Sequence, residues 1–230
     1  RARELLMSGV RLAKETVETF ASGERSLLVA GSVGPYGAFL HDGSEYTERA
    51  RELLMSGVRL AKETVETFAS GERSLLVAGS VGPYGAFLHD GSEYTGAYAQ
   101  EMSVEELKLW HKAQVDCLAA AGADLIAFET IPSIKEAQAV VELLREFPDC
   151  NAWLSFSCKD ERRISDGSLF ADAVRTACRS PQLLAVGVNC CRPAVVQPLL
   201  DSARAALGPD TRWVVYPNSG EDWDSERGWQ

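Results

Sequence analysis

Residues 1–47 recur letter for letter as residues 49–95, and the two copies part only where Glu48 corresponds to Gly96. Whatever unit this segment encodes must therefore be accommodated twice in one chain. Solenoid repeats drift in sequence, because only a few positions in each repeat are structurally constrained. Identity at 47 successive positions argues against a solenoid and for a recent duplication.

The duplicated unit reads as helix, strand and loop. In the first copy Leu6, Val10, Ala13, Val17 and Phe20 form one apolar stripe at helical spacing, with Glu4, Lys14, Glu15 and Glu18 off it. Ser22-Gly23 stops the helix, 26–31 is a short apolar strand, and 32–37 is a Gly/Pro-rich loop. The second copy repeats these elements over 54–68, 74–79 and 80–85.

Beyond the repeat the chain keeps alternating. Ser103 and Glu106 form a capping-box pattern for a helix to about residue 121, and Ser133 and Glu136 form another. The second of these helices turns Ile134, Ala137, Val141 and Leu144 inward. Strands are expected at 124–128, 152–156, 183–188 and 213–216, with helices at 169–178 and from Pro193 onward.

Such alternation implies βαβ units and a parallel sheet. No Gly-x-Gly-x-x-Gly follows the first strand, so a (β/α)8 barrel is favoured over a dinucleotide-binding fold. Five distinct strands are fewer than a closed barrel uses. The expected fold class is thus α/β, an incomplete (β/α)8 TIM-type barrel lacking its first strands and its last. Residues 1–48 are expected to be the duplicate copy, and 49–230 the partial barrel.

The formal net charge is −10, with no dense basic cluster, which disfavours nucleic acid and anionic membrane as partners. No apolar run approaches the roughly 20 residues that span a bilayer, and no leader-like segment opens the sequence. Six scattered cysteines suggest a reducing compartment, so a cytoplasmic location is expected. His41, His89 and His111 have no metal-ligand spacing and are expected at the surface.

In a parallel barrel the active site lies at the C-terminal ends of the strands. That rule selects Ser80-Val81-Gly82, Glu129-Thr130, Ser157-Cys158-Lys159, Asn189-Cys190-Cys191 and Asn218-Ser219-Gly220. The segments AGSVGPYGAFLHDGSEYTG, ADLIAFETIPSIKEAQAVVELL, LSFSCKD, AVGVNCC and VVYPNSGEDWD, in this order, resemble the homocysteine S-methyltransferase family. The likeness is nearest to the branch that uses S-methylmethionine or S-adenosylmethionine, and it spans residues 49–230.

The resemblance implies a zinc enzyme that moves a methyl group from a sulfonium donor to homocysteine, giving methionine. It implies zinc held by three thiolates, of which Cys190 is one. The other two belong to a Gly-Gly-Cys-Cys motif expected beyond residue 230, so the zinc site is expected to be incomplete here and the chain inactive by itself. Glu129 matches the glutamate that holds the substrate's amino group, and Asn189 and Asn218 are the other expected substrate contacts.

Plainer readings stand beside these. Cys190 could be a buried structural thiol, and Glu129 a carboxylate near the next helix start. Asn189 and Asn218 could be loop residues bonding their own backbone. Cys191 is expected to face away from Cys190 by strand alternation, and Cys158 is an outlying metal contact. Two further functions remain open: a Schiff-base barrel enzyme using Lys159, or a non-catalytic product that self-associates through open sheet edges.

The two copies compete for one slot, and the second, continuous with the rest, is expected to hold it. The first is then displaced or stands in for an earlier βα unit. Limited proteolysis should cut near Thr47 before Thr95; the reverse order would assign the slot to the first copy.

Overall fold

The computed structural model of the chain describes residues 30–33, 48–68, 76–218, 223–224 and 228–229. The elements are β1 (Ala30–Val33), α1 (Glu48–Phe68), β2 (Leu76–Val81), α2 (Tyr84–Leu88), α3 (Val104–Ala120), β3 (Leu125–Ile131) and α4 (Ile134–Leu144). They continue as β4 (Ala152–Phe156), α5 (Phe170–Ala177), β5 (Leu183–Asn189), α6 (Pro193–Ala203) and β6 (Arg212–Tyr216). A two-residue ladder, β7 (Trp223–Asp224) with β8 (Gly228–Trp229), is antiparallel. The first copy's helix and most of its strand lie outside the described residues.

Two compact units divide the chain: Arg1–Val81 with Ala113–Ala127, and Gly82–Lys112 with Phe128–Gln230. In the first unit β1 and β2 pair in parallel, Ala30 opposite Leu76 and Val33 opposite Gly79. The two copies of the duplicated strand are thus neighbours. Helix α1 buries Leu54, Val58 and Ala61, the first three residues of the stripe expected from the spacing. Thr64 is buried beside them because its hydroxyl donates back to the Leu60 carbonyl at 2.7 Å. Strand β2 begins two residues later than expected and runs through Ser80 and Val81, both buried, so the expected loop is shorter. The Asp124 carboxylate accepts from the Val77 amide at 2.7 Å and pairs with Lys62, tying the start of β3 to β2.

In the second unit the strand order is β3-β4-β5-β6, with β4, β5 and β6 parallel. Phe156 lies opposite Val188, and Asn189 opposite Tyr216. The core there holds Phe128, Leu143, Leu144, Leu154, Phe156, Ile164 and Phe170, all fully buried. Each such side chain contributes about 1.5–3 kcal/mol when removed from water. Phe170 meets Phe156 edge-on at 6.1 Å and stacks on Trp213 at 6.1 Å, joining α5 to the sheet.

Both capping boxes have a structural counterpart, but only one is reciprocal. Ser103 Oγ accepts from the Glu106 amide at 3.2 Å, and Glu106 returns a bond to the Ser103 amide at 2.8 Å. Ser133 Oγ accepts from the Glu136 amide at 3.1 Å, yet the Glu136 carboxylate turns inward. There it accepts from the Tyr84 amide at 2.8 Å, from His111 Nε2 at 2.9 Å, and from the Tyr98 hydroxyl. His111 is therefore not at the surface as expected; it is fully buried, edge-on to Trp110 and Phe128. It continues the buried row Leu107, His111, Val115 and Leu118 on α3, while His89 is exposed. Among the described residues no helix is long and apolar enough to cross a membrane.

Gly187 sits in the middle of β5, where an added Cβ would meet the Val214 carbonyl oxygen at 1.7 Å. Backbone cannot yield as a flexible side chain does. Gly187→Ala should therefore cost about 3 kcal/mol or more, measured as a lower denaturant midpoint; an unchanged midpoint would show that β5 and β6 separate freely.

Candidate active site at the strand ends

Strands β3 to β6 end side by side in the second unit, and their last residues share one hydrogen-bonded network. Asn189, 2% exposed at the end of β5, is its centre. Its Oδ1 accepts from the Thr130 amide at 2.8 Å and from Ser155 Oγ at 2.8 Å. Its Nδ2 donates to Thr130 Oγ1 at 2.8 Å and to Cys190 Sγ at 3.2 Å. An asparagine amide has two donor hydrogens and two acceptor positions, and all four are used inside the protein.

The network extends across β4 and β6 to β3. Ser155 Oγ lies 2.7 Å from Tyr216 Oη, which accepts from Trp153 Nε1 at 3.1 Å. Tyr216 in turn donates to Glu129 Oε2 at 2.9 Å. Glu129 and Cys190, two expected site residues, are thus joined through Tyr216, Ser155 and Asn189. Asn218 is exposed, and its amide donates to the Cys191 carbonyl at 3.0 Å. Lys159 is also exposed, in contrast to the desolvated amine that a Schiff-base mechanism uses.

Two residues of this network adopt left-handed backbone, Thr130 at φ 64° and Cys190 at φ 49°. Such conformations cost about 1–3 kcal/mol each without glycine. Four hydrogen bonds at about 1 kcal/mol each are of the size needed to hold them. The turn at Cys190 also breaks strand alternation. Cys190 Sγ lies 3.9 Å from Thr130 Oγ1 and 3.2 Å from Asn189 Nδ2. The Cys158 thiol is pushed far above its ordinary pKa by Cys191 first and burial second, and Cys191 is lowered by Cys158. Among the described residues no three His, Cys, Asp or Glu side chains converge as a metal site.

The segment after β2 packs over these strand ends. Gly85 leaves no room for a Cβ, which would meet the Glu93 amide at 2.5 Å. Ser157 Oγ donates to the Glu93 carbonyl at 3.1 Å, next to Tyr94, whose phenol is raised by burial first and the neighbouring Cys190 second. Sequence reasoning selected Thr130 at the end of β3 but missed Tyr216, Ser155 and Trp153 as parts of the network. Ser155, Trp153 and Tyr216 sit within strand runs that read as packing, and only the register brings them to Glu129.

The fold and site define a parallel α/β protein with its polar constellation at the carboxyl ends of the strands. The homocysteine S-methyltransferase family model matches residues 1–50 and again 42–230, and the chain belongs to that family. It is 46% identical to betaine-homocysteine S-methyltransferase of Drosophila melanogaster, over 99% of this chain and 59% of that protein. It is 36% identical to homocysteine S-methyltransferase of Escherichia coli, over 98% of this chain and 57% of that protein. The metallated form of the homocysteine methyltransferase MmuM from Escherichia coli superposes with a TM-score of 0.69 at 41% identity. That match covers 75% of this chain and 59% of the solved one. The chain therefore spans somewhat more than half the length of these relatives.

Burial raises the Tyr98 phenol first and its neighbour Glu136 second; burial and then Glu129 raise Tyr216 in the same way. A phenol raised on folding leaves stability intact below its unfolded value near 10 and erodes it as pH climbs above that. In alkaline difference absorbance, Tyr98 and Tyr216 should ionise only as the protein unfolds. Tyr216→Phe should remove one late-titrating phenol; loss of an early one instead would contradict the burial assigned to it.

Proposed function

We propose that this chain carries one side of a methyl-transfer site, where the sulfur of homocysteine takes a methyl group from an onium donor and becomes methionine. The observation that carries this reading is the unbroken network from Glu129 to Cys190 in a member of this family. We read β2 to β6 as consecutive strands of a TIM-type (β/α)8 barrel, of which these residues are a part.

Glu129 is assigned the substrate's ammonium group, with its carboxylate oriented by the Tyr216 hydroxyl. Asn218, exposed two residues after β6, is assigned a substrate contact. Asn189 acts by holding Cys190 and Thr130 in their left-handed turns. In the reaction a carbon–sulfur bond forms at homocysteine as the donor's methyl–sulfur bond breaks. The bonding pair leaves with the donor sulfur, so a thiolate and a sulfonium become two neutral thioethers. Charge is consumed in this step, and a dry strand-end pocket favours it. S-methylmethionine and S-adenosylmethionine both fit this chemistry; the quaternary ammonium of betaine, named in the Drosophila relative, is an onium donor of the same kind.

Zinc held by three thiolates does not fit the described residues alone. Among the described residues no three His, Cys, Asp or Glu side chains converge, so Cys190 has no ligand set there. We assign Cys190 one ligand position in the whole protein, the other thiolates coming by resemblance from a Gly-Gly-Cys-Cys motif.

The 230-residue chain, mixed with homocysteine and methyl-labelled S-methylmethionine, should bind less than one equivalent of zinc and form no labelled methionine. In the whole protein Glu129→Ala should cut kcat/KM by about 10- to 100-fold, the loss of one charge-assisted hydrogen bond. Stoichiometric zinc with turnover in the 230-residue chain, or full activity without Glu129, would overturn the assignment.

A further inference from the structure

One buried carboxylate on α4 takes no part in the proposed methyl-transfer site, yet it holds the segment that packs over that site. Glu136 is fully buried, and its two oxygens take the two ends of the segment 84–98. Oε1 accepts from the Tyr84 amide at 2.8 Å and from His111 Nε2 at 2.9 Å, and Oε2 accepts from the Tyr98 hydroxyl. Between these ends the segment folds tightly on itself. A Cβ on Gly85 would meet Tyr98 Cε1 and the Glu93 amide, each at 2.5 Å, and buried Ser92 donates to the Gly85 carbonyl at 3.5 Å.

The middle of the segment is bonded to the strand ends. Ser157 Oγ, just past β4, donates to the Glu93 carbonyl at 3.1 Å and reaches the Thr130 carbonyl at 3.4 Å. Ser165 Oγ donates to Ser157 Oγ at 2.9 Å and fixes it in turn. On its other side the Thr130 amide donates to Asn189 Oδ1 at 2.8 Å. Thr130 is left-handed at φ 64° and directly follows Glu129. Short contacts therefore run from Glu136, through the segment and Ser157, to the residue beside Glu129. A buried carboxylate gains little net stability from such partners. What its two oxygens fix is where the two ends of the segment sit.

We propose that Glu136 is a positioning residue for the strand-end site: it closes the segment 84–98 into a clasp over Ser157 and Thr130, and so sets the orientation of Glu129 toward the amino-acid substrate. The identity of that substrate, homocysteine, rests on the methyl-transfer reading; the clasp does not. Glu136 acts through other residues and touches no reacting atom. The clasp uses the shape of the carboxylate. Glutamine preserves it, because the amide oxygen accepts from the Tyr84 amide and His111 while its NH2 donates to the Tyr98 oxygen, a hydroxyl being both donor and acceptor. Alanine leaves the Tyr84 amide, His111 Nε2 and the Tyr98 hydroxyl without their partner in a buried pocket.

In the whole protein, with S-methylmethionine saturating and homocysteine varied, Glu136→Ala should raise KM for homocysteine about 10-fold while kcat per folded molecule stays within about 3-fold. Glu136→Gln should return KM to within about 2-fold of the unsubstituted protein, and Tyr98→Phe, which removes one bond, should fall between. A purely structural role would lower the amount of folded protein and leave KM unchanged. That result, or a glutamine variant as impaired as the alanine one, would overturn the proposal. Amide hydrogen exchange on the 230-residue chain supplies a reading without turnover. Thr95 and Gly96 donate to the Ser92 carbonyl, and Thr130 to Asn189. Glu136→Ala should speed exchange at these three amides about 10-fold and leave the amides of β5 unchanged; Tyr98→Phe, with a smaller effect, serves if the alanine variant fails to fold. Equal protection in the substituted and unsubstituted chains removes the clasp. Absence of methyl transfer by the unsubstituted whole protein, with the exchange pattern as expected, removes the methyl-transfer reading and leaves the clasp standing.

Discussion

The strand ends depend on the side chain of Asn189. It reaches β3 through Thr130, β4 through Ser155, and the residue that follows its own strand through Cys190. Buried amides are costly unless satisfied, and this one is satisfied on all sides. The same four bonds that permit its burial fix two residues in backbone they would otherwise avoid. The strand-end network and the strained backbone are therefore located at the same point, and removing the amide would release both.

A second buried polar cluster anchors the segment that follows β2. Glu136 is fully enclosed and bonds three groups from different places in the chain: the Tyr84 amide, the Tyr98 hydroxyl and His111 Nε2. Pairs of this kind add little net stability against an apolar replacement, because desolvation offsets attraction. Their value lies in specificity. The Tyr84 amide has one partner geometry, and through it the loop ending at Glu93 and Tyr94 is brought over Ser157. Trp110, Tyr84 and Phe128 surround the cluster and keep it dry.

The elements themselves were largely legible. Period and capping signals marked α3 and α4, and the apolar runs marked β3 to β6 within three residues of their ends. Glu129 and Cys190 were legible as strand-end residues of a parallel sheet, and the structure joins them in one network. His111 was misjudged because a histidine without ligand spacing reads as solvated, although it continues the buried row of Leu107 and Val115. Glu136 was read as a helix cap because its spacing to Ser133 matches one; its carboxylate found stronger partners inside. Cys191 was expected to face away from Cys190 by strand alternation, an argument that presumes extended backbone, whereas Cys190 is left-handed at φ 49°.

The sequence by itself determined the parallel α/β class, the doubled segment and the family, because periodicity and motif order are properties of the chain read in one dimension. Only the tertiary structure decided which residues meet. Tyr216 reaches Glu129 across 87 positions, and Ser155 reaches Asn189 across 34, through strand register that no local pattern encodes. The physical reason is that a side chain's hydrogen bonds follow from where neighbouring strands end, and a single left-handed residue there reassigns its neighbours. At Cys190 that one turn sets the thiol against Asn189 and Thr130.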